Sequence, residues 1–374
     1  VFLTAAKDAA KSLIKCQLAT GGWDSDFDFD PEKMKRYHLR SDLDAGDKEP
    51  GKRRNSTTLD DNKTESALLF LLEMVHEPAC KDDAELKRCT KFAFDALLAA
   101  QAPIGAWPQQ FSGPADPAAP VLKASYPETW SRTFPAIKYT GFYTLNDDNL
   151  QQIARVLFRA YDLEKDERYL TALKKLGGFF LLAQMPEPQP VWAQQYDRDM
   201  HPVWARKFEP PSVTGYESLG AMEVLHQLWV LTGDDKYLRP IQPALSWYER
   251  SKLADGTHAR FYELHTNKPL YFERGPGGKG FELTYSDAKA SSNYGWVWDS
   301  ELDALIRDHY RGEAQTLGAR AEENLLKLAH LIGQPNADEQ ARWSSLVDNF
   351  QRLMKQGGKE ADGATRAAQV LADI

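Results

Sequence analysis

Two short acidic stretches recur along the chain, TLDDNKT at 58–64 and TLNDDNL at 144–150. The carboxylates of the two stretches, with Asp60 and Asp147 as the candidate ligands, could act together, because carboxylate oxygens are hard ligands that suit a divalent cation such as calcium. The ordinary alternative is that each aspartate caps the first turn of a helix. Two clusters at equivalent places of a repeated fold would converge on one face, and this favours a cation site.

Basic residues form a second set that could bind an acidic ligand. WARKFE at 204–209 and HARFYE at 258–263 share the pattern A-R-x-x-E, and both follow irregular segments. Arginine binds carboxylates through two parallel hydrogen bonds, so such residues with aromatics between them suit a polyanion. The alternative for each is a surface ion pair. The set comprises Arg206, Arg260, Lys268 and Arg274.

Together the acidic and basic sets favour one kind of chemistry. A cation held by protein carboxylates and by the carboxylate of a uronate sugar would acidify the proton on the adjacent sugar carbon. A base could then remove that proton, and the glycosidic oxygen would leave from the neighbouring carbon. This reaction is a β-elimination.

An internal repeat is expected to position these residues. QLATGGW at 17–23 and QAPIGAW at 101–107 share Q-x-x-x-G-x-W, and QMPEPQPVW at 184–192 is a weaker third copy. A helical apolar pattern ends at each Gln, and a new helix begins after each acidic cluster. Paired helices in units of about 85 residues indicate an α/α toroid with alternating inner and outer helices.

The predicted fold is therefore mainly α, an α/α toroid of about three helical-hairpin repeats, in which long irregular loops and a small β-hairpin form the cleft. We expect a single catalytic domain over 1–374. Its expected parts are repeat units at about 1–95, 96–180 and 181–255, loop-rich cleft segments at 108–143 and 185–298, and C-terminal helices at 300–374.

Composition excludes several classes of protein and site. The formal net charge of −8 argues against nucleic-acid binding, which needs a basic surface. The sequence contains no run of about 18 apolar residues, so it predicts no membrane-spanning helix. The 3 cysteines contain no CxxC pair, which excludes a zinc ribbon. Cys80 and Cys89 could close a disulfide loop or stay as buried thiols, and both alternatives are open.

The ordered series of motifs from GGW to HARFYELHTNKP resembles the pectate lyases of polysaccharide lyase family ten. Between these two lie TLDDNKT, GAWPQQF, TLNDDNL, WAQQYD and WARKFE, and their order is more specific than any one of them. The resemblance implies an α/α toroid and a calcium-assisted cleavage of polygalacturonate with an arginine as the base. We expect a secreted or periplasmic enzyme that acts as a monomer.

The matched motifs imply roles for individual residues. Asp60 and Asp147 match the aspartates of the family's T-I-D-N and F-N-D-N segments and are expected to bind calcium. Arg206 matches the arginine of N-A-R-A-Y-E, the expected base. Arginine is ordinarily protonated because its pKa is very high, so a base at this position needs desolvation and neighbouring cations that favour the neutral form. The expected substrate contacts are Arg260, Lys268, Arg274, Trp107 and Asp61, which replaces the family's Asn.

Two segments depart from the family pattern. In KASSNYGWVW, at 289–298, Ser291 and Ser292 stand where an arginine is expected. One substrate contact is therefore either missing or supplied by Lys289. The long insert between PQQF and TGFY is expected to extend a sugar-binding wall through two aromatic residues, Trp130 and Tyr139.

Three other functions are weighed against the lyase. An inverting glycoside hydrolase on the same toroid would use Asp60 and Asp147 as acid and base, but it leaves the arginines unexplained. A terpene-cyclase-like protein shares Q-x-x-x-G-x-W but needs an apolar cavity. A noncatalytic carbohydrate-binding module needs fewer residues than 374. A lyase forms an unsaturated uronide that absorbs ultraviolet light, whereas a hydrolase forms reducing ends only.

Overall fold

The structure is a computed structural model and describes residues 2–298. These residues lie within one compact unit, Val1–Trp298. The predicted C-terminal helices at 300–374 lie outside the described residues, so the single domain over the whole chain stays a prediction.

Helices dominate the described range. The α-helices are α1 (Phe2–Lys15), α2 (Pro31–Met34), α3 (Arg40–Asp44), α4 (Lys63–His76), α5 (Ala84–Ala99), α6 (Asn149–Glu164), α7 (Glu167–Ala183), α8 (Gly215–Thr232) and α9 (Ile241–Arg250). Short 3-10 turns occur at Asp60–Asn62, Pro78–Cys80, Asn146–Asp148, Asp235–Tyr237 and Pro276–Gly278.

The strands are short and pair in antiparallel fashion. They are β1 (Thr57–Thr58), β2 (Gln110–Phe111), β3 (Tyr143–Thr144), β4 (Gln195–Tyr196), β5 (Ser212–Thr214), β6 (His258–Ala259), β7 (Phe261–Glu263), β8 (Pro269–Arg274), β9 (Phe281–Thr284) and β10 (Val297–Trp298). β1 pairs with β2, β3 with β4 and β6 with β10, while β5, β7, β8 and β9 form a four-stranded sheet in that order. The predicted β-hairpin is part of this sheet.

The long helices form three hairpins, α4 with α5, α6 with α7 and α8 with α9. α4 packs on α6 and α6 packs on α8, so these three form the inner layer. In α4, the fully buried Leu68, Leu71 and Leu72 are three and four positions apart and therefore share one face. The predicted α/α toroid of about three helical hairpins is confirmed.

The Gln of the repeated Q-x-x-x-G-x-W motif ties neighbouring hairpins together. The side-chain amide of Gln17 donates to the Gly21 carbonyl at 2.8 Å within its own loop and to the Cys89 carbonyl of α5 at 3.0 Å. The loop turns tightly at the glycine, which has φ +101° at Gly21. The equivalent bonds run from Gln101 to Gly105 and Ala172, and from Gln184 to Pro190 and Pro240.

The Trp of the motif is a core residue. Trp107 is 0% exposed, and its indole N–H donates to the Leu97 carbonyl of the preceding helix at 2.7 Å. The side chain therefore cannot reach a ligand in a cleft, and the prediction that Trp107 binds substrate is wrong. The other two copies make the same bond, Trp23 to Leu13 and Trp192 to Phe180.

The three cysteines are buried and free, so the buried-thiol alternative is confirmed and no disulfide joins Cys80 to Cys89. Burial raises the pKa of the Cys16 thiol to about 11 and that of Cys89 to about 12, which makes both thiols poor nucleophiles. Among residues 2–298, no helix combines the length and the apolar character needed to cross a membrane.

Candidate active site

The two acidic stretches adopt the same backbone structure. Each forms a 3-10 turn immediately before an inner helix, α4 or α6. Asp61 and Asp147 both have φ +53°, in the left-handed region that Asp and Asn tolerate better than most residues. Backbone geometry therefore pairs Asp61 with Asp147, and Asp60 with Asn146, as the equivalent positions of the two units.

The two turns pack against each other, and their carboxylates converge. Asp60, Asp61 and Asp147 each place an oxygen within 4.8 Å of the others. Burial and the neighbouring Asp61 charge raise the pKa of Asp60. Burial chiefly raises the pKa of Asp147 to about 6, assisted by Asp60 and opposed by Arg206. A divalent cation would relieve this repulsion, and a set of carboxylate oxygens fits calcium.

Arg206 lies beside the acidic cluster. Its Nη2 is 3.6 Å from Asp147 Oδ2 and donates to Glu209 Oε1 at 2.6 Å. Its backbone N–H donates to the other Glu209 oxygen at 2.9 Å. The A-R-x-x-E pattern is thus a tight turn in which the glutamate folds back on the arginine. The Arg206 side chain is 37% exposed, so part of it stays accessible to a ligand.

Glu209 fixes the orientation and the charge of Arg206. This carboxylate is fully buried, and it also accepts from Gln194 Nε2 at 3.1 Å and from the Tyr294 hydroxyl at 2.8 Å. Burial lowers the pKa of Arg206, but the charges of Glu209 and Asp147 outweigh it and leave that pKa above its ordinary value. The guanidinium is therefore protonated when neither cation nor substrate is bound.

Arg260 approaches the cluster from the side of the sheet. Its Nη2 donates to Glu217 Oε1 at 3.1 Å and lies 3.5 Å from Asn146 Oδ1 in the second acidic turn. The Tyr294 ring lies close to both arginines, with its centroid 4.4 Å from Arg260 Cζ and 5.7 Å from Arg206 Cζ. Two guanidinium groups around one ring suit a ligand with several acidic groups.

The other two predicted cations lie on the hairpins of the four-stranded sheet. Arg274 ends β8, is exposed, and stacks on the Phe281 ring of β9 at 4.4 Å. Lys268 lies in the turn before β8, with Nζ 5.6 Å from the Tyr285 ring. The structure therefore groups Arg206 and Arg260 with the aspartates and places Arg274 and Lys268 on a neighbouring surface.

The long insert brings aromatic residues to the same region. Trp130 packs near Trp204, two positions before Arg206, with ring centroids 6.4 Å apart. The Arg132 guanidinium stacks on Trp130 at 3.9 Å. Burial raises the pKa of the Tyr139 hydroxyl, which also feels the charge of Arg206. That the two aromatics form a sugar-binding wall stays a prediction.

Sequence reasoning missed Glu209 and Glu217 as partners of the two arginines. The shared A-R-x-x-E pattern could have identified Glu209. The same pattern misleads at Arg260, because its glutamate Glu263 instead forms an ion pair with Arg132. Glu217 comes from the first turn of α8, for which no motif points to an arginine.

Tyr294 was missed as well, although it lies in the segment that departs from the family pattern. Ser291, where an arginine was expected, is buried, and its carbonyl accepts from the Trp296 indole at 2.5 Å. This serine therefore supports the segment from within. The side chain that enters the site from this segment is Tyr294.

Comparisons with known proteins identify the family of the chain and structures of similar fold. A family model described as pectic acid lyase matches residues 17–258, which include both acidic turns and Arg206. A family 10 polysaccharide lyase from Cellvibrio cellulosa superposes with a TM-score of 0.56 at 19% identity, covering 81% of this chain and 91% of that one. A mutant of the Cellvibrio cellulosa family 10 lyase in complex with trigalacturonic acid gives 0.53 at 19% identity, covering 78% and 88%. No curated protein matches the chain.

Proposed function

This chain belongs to the pectic acid lyase family and is a polysaccharide lyase, and from that premise we propose that it cleaves polygalacturonate, an α-1,4-linked galacturonan, by calcium-assisted β-elimination with Arg206 as the base. The observation that supports the mechanism is the meeting of opposite charges at one point. Arg206 Nη2 lies 3.6 Å from Asp147 Oδ2, beside a cluster of three carboxylates. The trigalacturonic acid bound to the Cellvibrio mutant supports this class of substrate.

Asp60, Asp61 and Asp147 are the residues that would hold calcium. Their oxygens converge within 4.8 Å, and the pKa values of Asp60 and Asp147 are raised, so holding all three carboxylates ionised is unfavourable. A bound cation would offset this unfavourable energy. Calcium there would bind the carboxylate of a uronate and acidify the proton on the adjacent carbon. Asp61 joins the predicted pair of ligands because its backbone position is equivalent to that of Asp147.

Arg206 would remove the acidified proton. Glu209 holds the guanidinium at the edge of the cluster, so a sugar bound through its carboxylate would present its proton to Arg206. The neutral form needed for a base becomes more accessible when the aspartate charges are neutralised and water is excluded. We therefore expect the rate to rise toward alkaline pH.

Arg260, Arg274 and Lys268 would bind uronate carboxylates. Arg260 is best placed for the reacting sugar, because it contacts Asn146 in the second acidic turn. The ordered partners Glu217 and Tyr294 hold its guanidinium in place before substrate binds. Because the substrate is a large polymer, we propose that the enzyme is secreted or periplasmic. We propose separately that it acts as a monomer.

An inverting hydrolase that uses Asp60 and Asp147 has less support. Inverting enzymes keep their two carboxyl groups roughly 6.5–9.5 Å apart to make room for a water molecule. Here the carboxylates of Asp60 and Asp147 approach within 4.8 Å, and a third carboxylate joins them. Such crowding suits metal binding better than an acid and base pair.

Incubation with polygalacturonate tests the proposal directly. We expect ultraviolet absorbance of an unsaturated uronide to grow with time, to stop on addition of a chelator and to return with added calcium. New reducing ends without a rise in absorbance would show that the enzyme is a hydrolase rather than a lyase. Absorbance that is insensitive to the chelator would remove calcium from the mechanism and leave the elimination in place.

A further inference from the structure

We propose that Lys207 and the ring of Phe281 complete a second subsite with Arg274, to which uronate binding is assigned above, and that this subsite recognises the free carboxylate of a sugar next to the one that is cleaved. This inference rests on the proposed function, because it takes the galacturonan chain as the ligand of the cleft. It assigns a role to Lys207, which stands where the family's N-A-R-A-Y-E pattern has an alanine.

Strand register places the Arg274 side chain and the Phe281 ring on one face of the sheet. Arg274 of β8 is directly opposite Phe281 of β9, and its Cζ lies 4.4 Å from the ring centroid. The neighbouring cross-strand pair is Glu273 and Glu282. Successive residues of a strand point to opposite faces, so these two acids lie on the other side of the hairpin.

Lys207 reaches the same ring from the loop that bears the proposed base. Its Nζ lies 5.1 Å from the centroid of Phe281. The ring of Phe208 lies 5.1 Å from Phe281, and Arg206 Cζ lies 5.5 Å from Phe208. A chain of contacting cations and rings therefore leads from Arg206 through Phe208 and Phe281 to Arg274.

The two cations are available to a ligand. Lys207 and Arg274 are exposed, and neither has a carboxylate within ion-pair distance in the part of the chain that the structure describes. By contrast, Arg206 and Arg260 are each engaged by a buried glutamate. Two unpaired cations beside one aromatic ring suit a sugar that contacts the ring and directs its carboxylate to them.

The chemistry of the subsite implies selectivity for unesterified galacturonate. A carboxylate gains charge-assisted hydrogen bonds from lysine and arginine, whereas a methyl ester carries no charge and offers weaker acceptors. Methyl esterification at this sugar should therefore weaken binding without changing the chemistry at Arg206. The subsite would act on KM rather than on kcat.

The test compares Lys207→Ala, Arg274→Ala and their double variant with Lys279→Ala. Lys279 is an exposed lysine in the turn between β8 and β9, so its removal changes the net charge by the same amount as each single variant. We expect KM for polygalacturonate to rise about fivefold in each single variant and further in the double variant, with kcat and melting temperature unchanged. Lys207→Arg should restore the wild-type KM.

A second comparison uses partly methyl-esterified polygalacturonate. Wild type and Lys279→Ala should discriminate against it, and the double variant should discriminate several-fold less. Unchanged KM and unchanged discrimination in the double variant would overturn the subsite, while wild-type activity would leave the proposed function standing.

Binding measurements keep the two ideas separate if the wild type gives no unsaturated product. Calorimetric titration with an unesterified galacturonate oligomer then measures affinity alone. Weaker binding in the double variant than in Lys279→Ala would support the subsite although the reaction had been misassigned. Equal affinity in those two variants, or no binding to any of them, would overturn the subsite.

Discussion

Replacement of Arg206 by alanine tests the proposed base most directly. A general base contributes about 10²–10⁴-fold to a rate, which corresponds to about 3–5 kcal/mol of activation free energy. We expect kcat on polygalacturonate to fall by about that factor, because no other described arginine lies in ion-pair contact with Asp147. The assay is the initial rate of ultraviolet absorbance at saturating substrate and calcium.

The structure also predicts that this variant folds. The buried Glu209 loses one charge-assisted hydrogen bond, which costs about 1.5–3 kcal/mol. It keeps the backbone N–H of residue 206 at 2.9 Å, the Tyr294 hydroxyl at 2.8 Å and Gln194 Nε2 at 3.1 Å. The carboxylate is therefore not left without donors, and thermal unfolding should show a lower but cooperative transition.

Arg132→Ala is the matched control. Arg132 forms an ion pair with Glu263, another buried glutamate, which keeps hydroxyl donors from Thr266 and Tyr285 when the arginine is removed. We expect a similar loss of stability and an unchanged kcat. If Arg206→Ala retained a kcat within tenfold of the control, the assignment of Arg206 as the base would be refuted.

Three further outcomes are expected. Asp147→Asn should weaken calcium activation at least about tenfold. In the wild type, calcium activation should weaken as pH falls below about 6, because burial raises the Asp147 pKa to about 6 and protons then compete with the cation. Rates measured at graded concentrations of free calcium test both outcomes. Trp107→Ala should lower the unfolding free energy, measured in denaturant, by about 3–5 kcal/mol and leave KM unchanged. A raised KM with an unchanged unfolding free energy would instead support a role in substrate binding. Glu65→Gln should raise the melting temperature relative to the wild type, and the difference should grow as pH rises above about 4.3. Burial holds the folded-state pKa of Glu65 well above its unfolded value, so the stability that the protonated carboxyl contributes at low pH is lost as pH rises. A difference in melting temperature that stays constant across pH would contradict this.

The helical hairpins were predictable because the repeated letters are bonding requirements. Each Q-x-x-x-G-x-W ends a helix, turns at the glycine and bonds to the next outer helix through the glutamine, as Gln17 does. A motif that makes these local bonds is needed in every unit and therefore recurs with the unit. The same reasoning failed for Trp107, because the letters of a motif do not distinguish an indole that lines a cleft from one that is packed beneath it.

The site was only partly predictable because its pairings are set by three-dimensional position. Aligning the two acidic stretches letter by letter pairs Asp61 with Asp147, as the left-handed backbone does, but the alignment does not reveal that Asp60 joins them within 4.8 Å. Arg260 pairs with Glu217, the third residue of α8, rather than with the glutamate of its own motif. Such partners depend on where helices begin and how strands register, and neither is readable from spacing along the chain.

Repetition of the helical hairpin explains why acids and arginine meet. The first two units each place an acidic 3-10 turn between a short strand and an inner helix. In the third unit β5 runs directly into α8 without such a turn, and the loop before β5 supplies Arg206 and Glu209 instead. The site thus takes its carboxylates from the strand-to-helix turns of two units, and its guanidinium, held by its own carboxylate, from the loop before the strand of the third unit. Because each unit contributes a different part, no unit can form the site alone, and the packing of α4 on α6 and of α6 on α8 is itself a condition of the proposed reaction.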